Sequence, residues 1–420
     1  MRKPILLLSI ILSSLIAHGQ SKLTIEACYE LARSNYPLIK QKSLIEQSRD
    51  FSIANVRTGF MPQISLNGQA TYQSDVTQVP ISAPGFDIEP LSKDQYRIYG
   101  EVNQTLYDGG MIKEQKAITQ TASKIEDQKL EVELYKIRER VTQLFFGILL
   151  ANEQTAQIEL LKKDLQANIN RTEAAIRNGT AFKMNADLLQ AEYLKAEQRT
   201  IETQSMRTAY LTMLGYFINQ PLDNSTQLEK PVTLMFNQQP TLARPELTLF
   251  NYQSELLGAQ YNHGKTKTMP RVGLFLQGGY GRPALNQLKN EFDTYYLGGI
   301  RFSWSLSGFY NSKRDKQLFN LNLQQVEVQK KTFEFNTNLV TSQQREEISK
   351  LQKLIEVDDQ IIALRTRIKK TAEVQQENGV ITTNDYLREL NAEDQAKQNR
   401  LLHEMQLLMA AYNYQNTIGN

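Results

Sequence analysis

The chain contains two copies of one pattern, and this duplication restricts the fold more than any other feature. With Pro37 set on Pro245, Pro62 falls on Pro270, Ile64 on Val272, Leu66 on Leu274 and Tyr72 on Tyr280 without a gap. With Tyr96 set on Tyr296, Leu106 meets Leu306, and Asn178-Gly179 meets Asn378-Gly379, again without a gap. Each copy reads as a helix, two strands around a loop, a very long helix, a tight turn and a return helix. The fold must accommodate long two-sided strands and long amphipathic helices in one duplicated unit.

The strands show period-two alternation, which sends successive side chains to opposite faces. Ile64, Leu66, Ala70 and Tyr72 oppose Gln63, Ser65, Asn67, Gln69 and Thr71. Tyr96, Ile98, Val102 and Leu106 oppose Arg97, Glu101, Asn103 and Thr105. In the second copy Val272, Leu274, Leu276 and Tyr280 oppose Arg271, Gln277 and Gly279. Tyr296, Ile300, Phe302, Trp304 and Leu306 oppose Arg301, Ser303 and Ser305. Each segment is long enough to cross a bilayer at a tilt, and aromatics gather near the strand ends as in interfacial girdles. A soluble sandwich would instead show short strands in quick succession, whereas residues 108–269 separate these two hairpins. Irregular loops at 76–93, with Pro80, Pro84, Gly85 and Pro90, and at 281–293 close the hairpins.

The helical stretches are long. No proline occurs in 110–177, and Leu134, Ile137, Val141, Leu144, Ile148, Ile158, Leu161, Leu165 and Ile169 recur at helical spacing. The second copy repeats this over 310–377 with Ile348, Leu351, Ile355 and Ile362. At 1.5 Å per residue each would measure roughly 100 Å. The pairs Asn178-Gly179 and Asn378-Gly379 mark the stops, since either residue type tolerates the left-handed conformation that ends a helix. The return helices, 184–218 and 383–418, are half as long. The helices expected over 24–57 and 244–267 would supply the missing halves by stacking end to end on them. The spacing thus predicts a first repeat over 20–218, with strands 62–75 and 94–107, long helix 110–177, tip 178–184 and return helix 184–218. A proline-containing linker or collar covers 219–243. The second repeat covers 244–420, with strands 270–281 and 294–306, long helix 310–377, tip 378–382 and return helix 383–418.

Composition narrows the function. Residues 1–19 carry Arg2 and Lys3, an apolar run from Ile5 to Ile16 and Ala17-His18-Gly19, which reads as a secretory signal. No later apolar run reaches the 18 residues of a membrane-spanning helix. The net charge is +3 with scattered lysine and arginine, which argues against a nucleic-acid partner. Cys28 is the single cysteine and reads as a buried helix position. The histidines, His18, His263 and His403, stand apart, and no metal-ligand spacing, nucleophile elbow or phosphate loop occurs. No catalytic, cofactor or metal site is expected. Met184, Met206 and Met213 read as core packing rather than a soft-metal ladder.

Four strands cannot close a membrane barrel, because such barrels start at eight. Open sheet edges in hydrocarbon would leave backbone groups unpaired at several kcal/mol each. Several copies must therefore share a barrel. Two give an interior that side chains nearly fill. Three give room for an opening, and four are not excluded. The rival reading is a non-channel, periplasm-spanning coiled coil or adhesin, which accounts for the helices but not for the strands.

Over nearly all of its length after the signal, the chain resembles the TolC-type outer-membrane efflux proteins. The residues that carry the resemblance are 31–37 (LARSNYP), Met61-Pro62-Gln63, Leu106-Tyr107-Asp108-Gly109-Gly110, Asn178-Gly179-Thr180 with Asp187-Leu188-Leu189-Gln190-Ala191, and 378–387 (NGVITTNDYL). The resemblance implies a mainly α fold with membrane β-strands: a long antiparallel α-helical barrel, with four strands per protomer contributing to a shared, trimeric, twelve-stranded barrel. It implies a location in the Gram-negative outer membrane with most of the mass in the periplasm. Its implied partners are a periplasmic adaptor, an inner-membrane transporter and the lipid bilayer. It also implies a periplasmic constriction at the tips, with acidic rings and links between helices. Asp385 matches the acidic position after the second tip, and an N-cap of the return helix is the competing reading of the same residue. Asp187 matches the first, with Asn185 competing because that tip reads as two residues longer. The family's further acidic position is Arg388 here, so an Asp385–Arg388 contact is one expectation. Ser307-Gly308-Phe309 replaces Asp-Gly-Gly, so the second strand exit should turn differently.

Overall fold

The computed structural model describes residues 22–77, 90–232 and 241–419. The expected signal over 1–19, Pro80, Pro84 and Gly85 of the first hairpin loop, and Pro240 of the linker lie outside the described residues. In chain order the elements are α1 (Ile25–Asn35), α2 (Gln41–Arg57), β1 (Gln63–Tyr72), β2 (Asp94–Tyr107), α3 (Met111–Arg177), α4 (Lys183–Ile218), α5 (Pro245–Lys265), β3 (Arg271–Arg282), β4 (Asp293–Ser303), α6 (Ser312–Glu377) and α7 (Thr383–Ile418). The fold is mainly helical with a four-stranded antiparallel sheet.

Several bounds differ from the sequence reading for identifiable reasons. The helix expected over 24–57 is two helices. Pro37 forces Tyr36 into extended backbone (ψ 130°), and a 3-10 turn at Pro37–Lys40 separates α1 from α2. In the second copy the equivalent Pro245 occupies the first turn of α5, where a missing N–H costs nothing. β1 ends at Tyr72, before Gln73, Ser74 and Asp75. β4 ends at Ser303, so Trp304 and Leu306 leave the strand. The two strand exits are built differently, as Ser307-Gly308-Phe309 suggested. In the first copy the Asp108 carboxylate accepts from Gly110 N–H (2.8 Å) and Ile112 N–H (2.6 Å) at the start of α3. In the second, 306–310 form a 3-10 turn before α6.

The residues group into two units, and α3 and α6 each run through both. One unit (40–132 and 244–336) holds the sheet, whose strand order is β1-β2-β3-β4. Its central pair, β2 with β3, joins the two copies. The register puts the even-numbered residues on one face: Ile64↔Val102↔Leu276↔Gly298 and Gly68↔Ile98↔Tyr280↔Thr294 run straight across. Ile64, Leu66, Tyr296 and Ile300 are 79, 76, 81 and 71% exposed, so this predominantly apolar face is uncovered in a single chain. The other face is mostly polar. There Arg301 pairs with Glu101 (3.2 Å), donates to Asn103 (3.2 Å) and lies over the Phe275 ring. Among the described residues nothing pairs with the outer edges of β1 and β4. The helical part of this unit is joined by Phe250 against Phe333, Tyr261 stacked on Phe319, and Gln128 Nε2 donating to the Pro245 carbonyl (2.8 Å).

Among the described residues the other unit, 22–39, 133–232, 241–243 and 337–419, is helical. The end of α1 meets the end of α4, where Asn35 Nδ2 donates to the Ile218 carbonyl (3.2 Å) and Tyr36 stacks on Phe217. Tyr29 and Thr142 hydroxyls hydrogen bond at 2.6 Å, and Asn416 Nδ2 donates to Thr142 (3.2 Å), tying α1, α3 and α7 together. Cys28 is buried, and burial pushes its thiol up to about 12, with Glu26 adding to the shift, so it is an inert core residue. The linker adds a short parallel bridge, with Leu23 N–H donating to the Gln227 carbonyl and Glu229 N–H to that of Leu23, both at 3.0 Å. Met184, Met206 and Met213 do not pack in this core. They are exposed on α4, where the surface of a single chain carries them.

Candidate functional site

The two helical hairpins, α3–α4 and α6–α7, turn in the same way. Gly179 (φ 76°) and Gly379 (φ 70°) take the left-handed conformation. In the first turn Thr180 N–H donates to the Ala175 carbonyl and Gly179 N–H to that of Ile176. In the second, Val380 N–H reaches Gln375 and Gly379 N–H reaches Gln376. This pair of bonds is the Schellman arrangement, which satisfies carbonyls a helix end would otherwise leave unpaired. Asn178 and Asn378 precede the glycines and do not themselves take the left-handed conformation.

Both connections contain five residues, 178–182 and 378–382, so the first is not the longer. Asn185 therefore stands at the third position of α4, as Asp385 does in α7. Asp187 lies two residues further on and is exposed. The hairpins differ in their caps. Thr382 Oγ1 accepts from Asp385 N–H (3.1 Å), and the Asp385 carboxylate accepts from Thr382 N–H (3.2 Å) and its hydroxyl (2.7 Å). This is a capping box, with Thr382 as the cap and Asp385 as its reciprocal partner. The Thr382 hydrogen bonds, with a smaller contribution from the Arg388 charge, hold the Asp385 carboxyl below its usual range. It is therefore ionised at neutral pH. The first hairpin has Phe182 at the cap position, with no side-chain cap. Arg388 does not bridge to Asp385; its Nε pairs with Glu389 at 3.2 Å. Asp385, Arg388, Leu364, Ile368 and Ile381 line a groove of about 690 Å³ between α6 and α7.

Behind the tips the hairpins are locked to each other by an apolar core and by polar links that sequence reasoning did not single out. Ile158, Leu161, Leu165 and Ile169 of α3 form one core with Leu189 of α4, Ala372 of α6 and Tyr386, Leu387 and Leu390 of α7. Inside it Asn168 Nδ2 donates to Tyr386 Oη at 2.8 Å. Burial first, then the Glu373 charge, pushes the Tyr386 hydroxyl up to about 12. Arg171 grips Glu373 (2.7 Å) and Glu377. Lys369 joins Asp164 (2.8 Å) to Glu393 (3.4 Å). Burial acts to raise the Glu393 carboxyl, but hydrogen bonds from Thr366 and Lys397 and the neighbouring lysine charges bring it below its usual range. On the return helices Arg199 pairs with Asp394 at 2.8 Å. Helical spacing marked the apolar α3 members of this core, Leu161, Leu165 and Ile169 among them, but polar partners across two helices have no such period.

Among the described residues no group of three or more His, Cys, Asp or Glu side chains could hold a metal ion. His403 meets one carboxylate, Asp358, at 2.6 Å. Among the described residues no helix is long and apolar enough to cross a membrane.

Residues 28–228 match the family model described as outer membrane efflux protein. Over that span, just under half of its length, the chain is similar to this family, the TolC-type channels. No curated protein sequence matches it. Solved outer-membrane proteins share its fold across 94% of the chain. The outer membrane protein VceC from Vibrio cholerae is 12% identical with a TM-score of 0.66, and 96% of it is covered. The MtrE outer membrane channel of Neisseria gonorrhoeae is 12% identical with a TM-score of 0.64, and 89% is covered. The CmeC outer membrane channel of Campylobacter jejuni is 13% identical with a TM-score of 0.61, and 85% is covered. The family consists of outer-membrane efflux channels of Gram-negative bacteria, which are not enzymes. The exposed apolar sheet face is the surface that such a location requires.

Proposed function

We propose that three copies of this chain share one twelve-stranded barrel and form a passive conduit serving a periplasmic adaptor and an inner-membrane transporter. The observation that carries the proposal is the sheet: four strands with two unpaired edges, one predominantly apolar face and one mostly polar face. Hydrocarbon makes unpaired backbone groups costly, so sister sheets must pair edge to edge and turn the polar face inward. The energy for export comes from the transporter; this chain supplies the water-filled route. The hairpin tips form the periplasmic constriction, where repeated Asp385 carboxylates concentrate cations. Asp385 then has two roles, capping α7 and charging the opening. Opening separates the hairpins by breaking the links at Arg171, Lys369 and Tyr386.

The test is extraction of the protein from outer membranes, followed by recording in planar bilayers. A heat-modifiable trimer that conducts, with higher basal conductance in Asp385→Ala, is the expected result. A water-soluble monomer would overturn the channel assembly, and unchanged conductance in Asp385→Ala would remove the gating role alone.

A further inference from the structure

The second strand exit differs from the first in charge as well as in shape. The stretches flanking the first sheet exit, 53–63 and 104–122, hold Arg57, Lys113 and Lys116 with Asp108 and Glu114. Those flanking the second, 261–270 and 304–322, hold Lys265, Lys267, Lys313, Arg314 and Lys316 with Asp315 alone. With Ser307-Gly308-Phe309 in place of Asp108-Gly109-Gly110, the carboxylate that caps the start of α3 has no counterpart at this exit. Glycine is needed there for closeness: a Cβ on Gly308 would come within 2.9 Å of Thr268 Cγ2.

This exit holds an open cavity of about 290 Å³, whose lining includes the apolar Leu257, Tyr261, Leu318 and Phe319 together with Lys265 and Lys267. Within the apolar lining Tyr261 stacks on Phe319 at 4.7 Å with the rings 9° apart. Lys265 Nζ lies 4.4 Å from the Tyr261 ring centroid. Neither lysine has a carboxylate partner among the described residues, Asp315 on the cavity lining included, and both lysines are exposed. Trp304 stands beside the cavity, its Nε1 donating to the Thr268 carbonyl at 2.9 Å, while 52% of its surface remains exposed. It directly follows the last residue of β4, and Phe309 and Tyr310 of the turn after it are exposed as well. An apolar wall, unpaired cations and interfacial aromatics at the end of a membrane strand match the layered chemistry of a phospholipid: acyl chain, glycerol and anionic headgroup.

We propose that the cavity between α5 and the β4–α6 turn binds the headgroup and upper acyl chain of an anionic glycerophospholipid, held by Lys265 and Lys267. The lipid phosphate supplies in the second copy the negative charge that Asp108 supplies in the first. Arg271 takes no part, since its odd register places it on the polar face, where it meets Met111.

Trp304 is the only tryptophan in the chain, so its fluorescence reports this place alone. The full protein is reconstituted in phosphatidylcholine bilayers containing equal fractions of either phosphatidylglycerol or phosphatidylcholine brominated near the top of the acyl chain. Brominated phosphatidylglycerol should quench Trp304 more strongly. In K265Q/K267Q that preference should disappear, at about fivefold lost local enrichment per lysine, while excess inorganic phosphate should leave it intact in the parent protein. Equal quenching by the two lipids overturns the proposal, as does a preference that survives in the variant. Competition by inorganic phosphate would show a free-anion site and overturns it as well. If the variant does not assemble, the lipid comparison in the parent protein decides alone. Conductance of the same preparation tests the channel reading separately.

Discussion

Replacing Tyr386 with Phe isolates one link between the hairpins. The hydroxyl accepts from Asn168 Nδ2 at 2.8 Å, and Tyr386 and Asn168 are 1% and 4% exposed. The ring still fills its place in the core, so no cavity term arises. A buried neutral hydrogen bond contributes about 1 kcal/mol net, and leaving its donor partly unpaired adds to the loss. Asn168 keeps a bond to the Asp164 carbonyl (3.1 Å), which limits that addition. The resulting loss is about 1.5 kcal/mol per subunit. If each subunit opens by itself, the open-to-closed ratio rises roughly tenfold. If three open together, the loss triples to about 4.5 kcal/mol and the ratio rises on the order of a thousandfold. Open probability in single-channel recordings distinguishes the two. A Tyr386→Phe channel with unchanged open probability and unchanged thermal stability would refute the assignment of this bond to the closed state.

The same hydroxyl predicts an alkaline response. Its folded-state pKa is raised to about 12 from an ordinary value near 10, so its stabilising effect is complete below pH about 10 and is lost as pH rises toward 12; thermal melts across this window should show the loss, and Tyr386→Phe should flatten it. Thr382→Ala removes the cap of α7 and should cost about 1 kcal/mol, whereas Phe182→Ala, at a position with no side-chain cap, removes no cap bond from the start of α4; paired melting curves compare them. Gly379→Ala places a Cβ at φ 70° and should cost roughly 1–2 kcal/mol, seen as a lower melting temperature. Ile300→Lys on the apolar sheet face should cost about 2–4 kcal/mol near the membrane midplane and reduce outer-membrane assembly, while Ser65→Lys on the polar face should assemble normally; heat-modifiability on gels reads both.

Much of the candidate site was legible where the signal is local. Gly179 and Gly379 stop the long helices, and the position of Asp385 near the start of α7 follows from the stop beside it. The pairing of Asp385 with Thr382 rather than Arg388 was not legible, because a capping box and an i,i+3 ion pair compete for the same carboxylate and only the geometry of the first turn selects between them. The first tip reads as two residues longer because Asp187-Leu188-Leu189 looks like the second copy's Asp385-Tyr386-Leu387, but the turns have equal length, which puts the competing Asn185 opposite Asp385. Asn168, Arg171 and Lys369 carried no distinguishing pattern, since their partners lie on another hairpin.

By itself the sequence determined which residues share a strand face, where the long helices stop and that the chain is duplicated, because alternation, helical spacing and left-handed glycine act within a few neighbouring residues. Tertiary structure alone decided that β2 pairs with β3 and so joins the copies in one sheet. It also decided that Tyr386 meets Asn168. These outcomes depend on which distant surfaces can exclude water together, and no local periodicity encodes that choice.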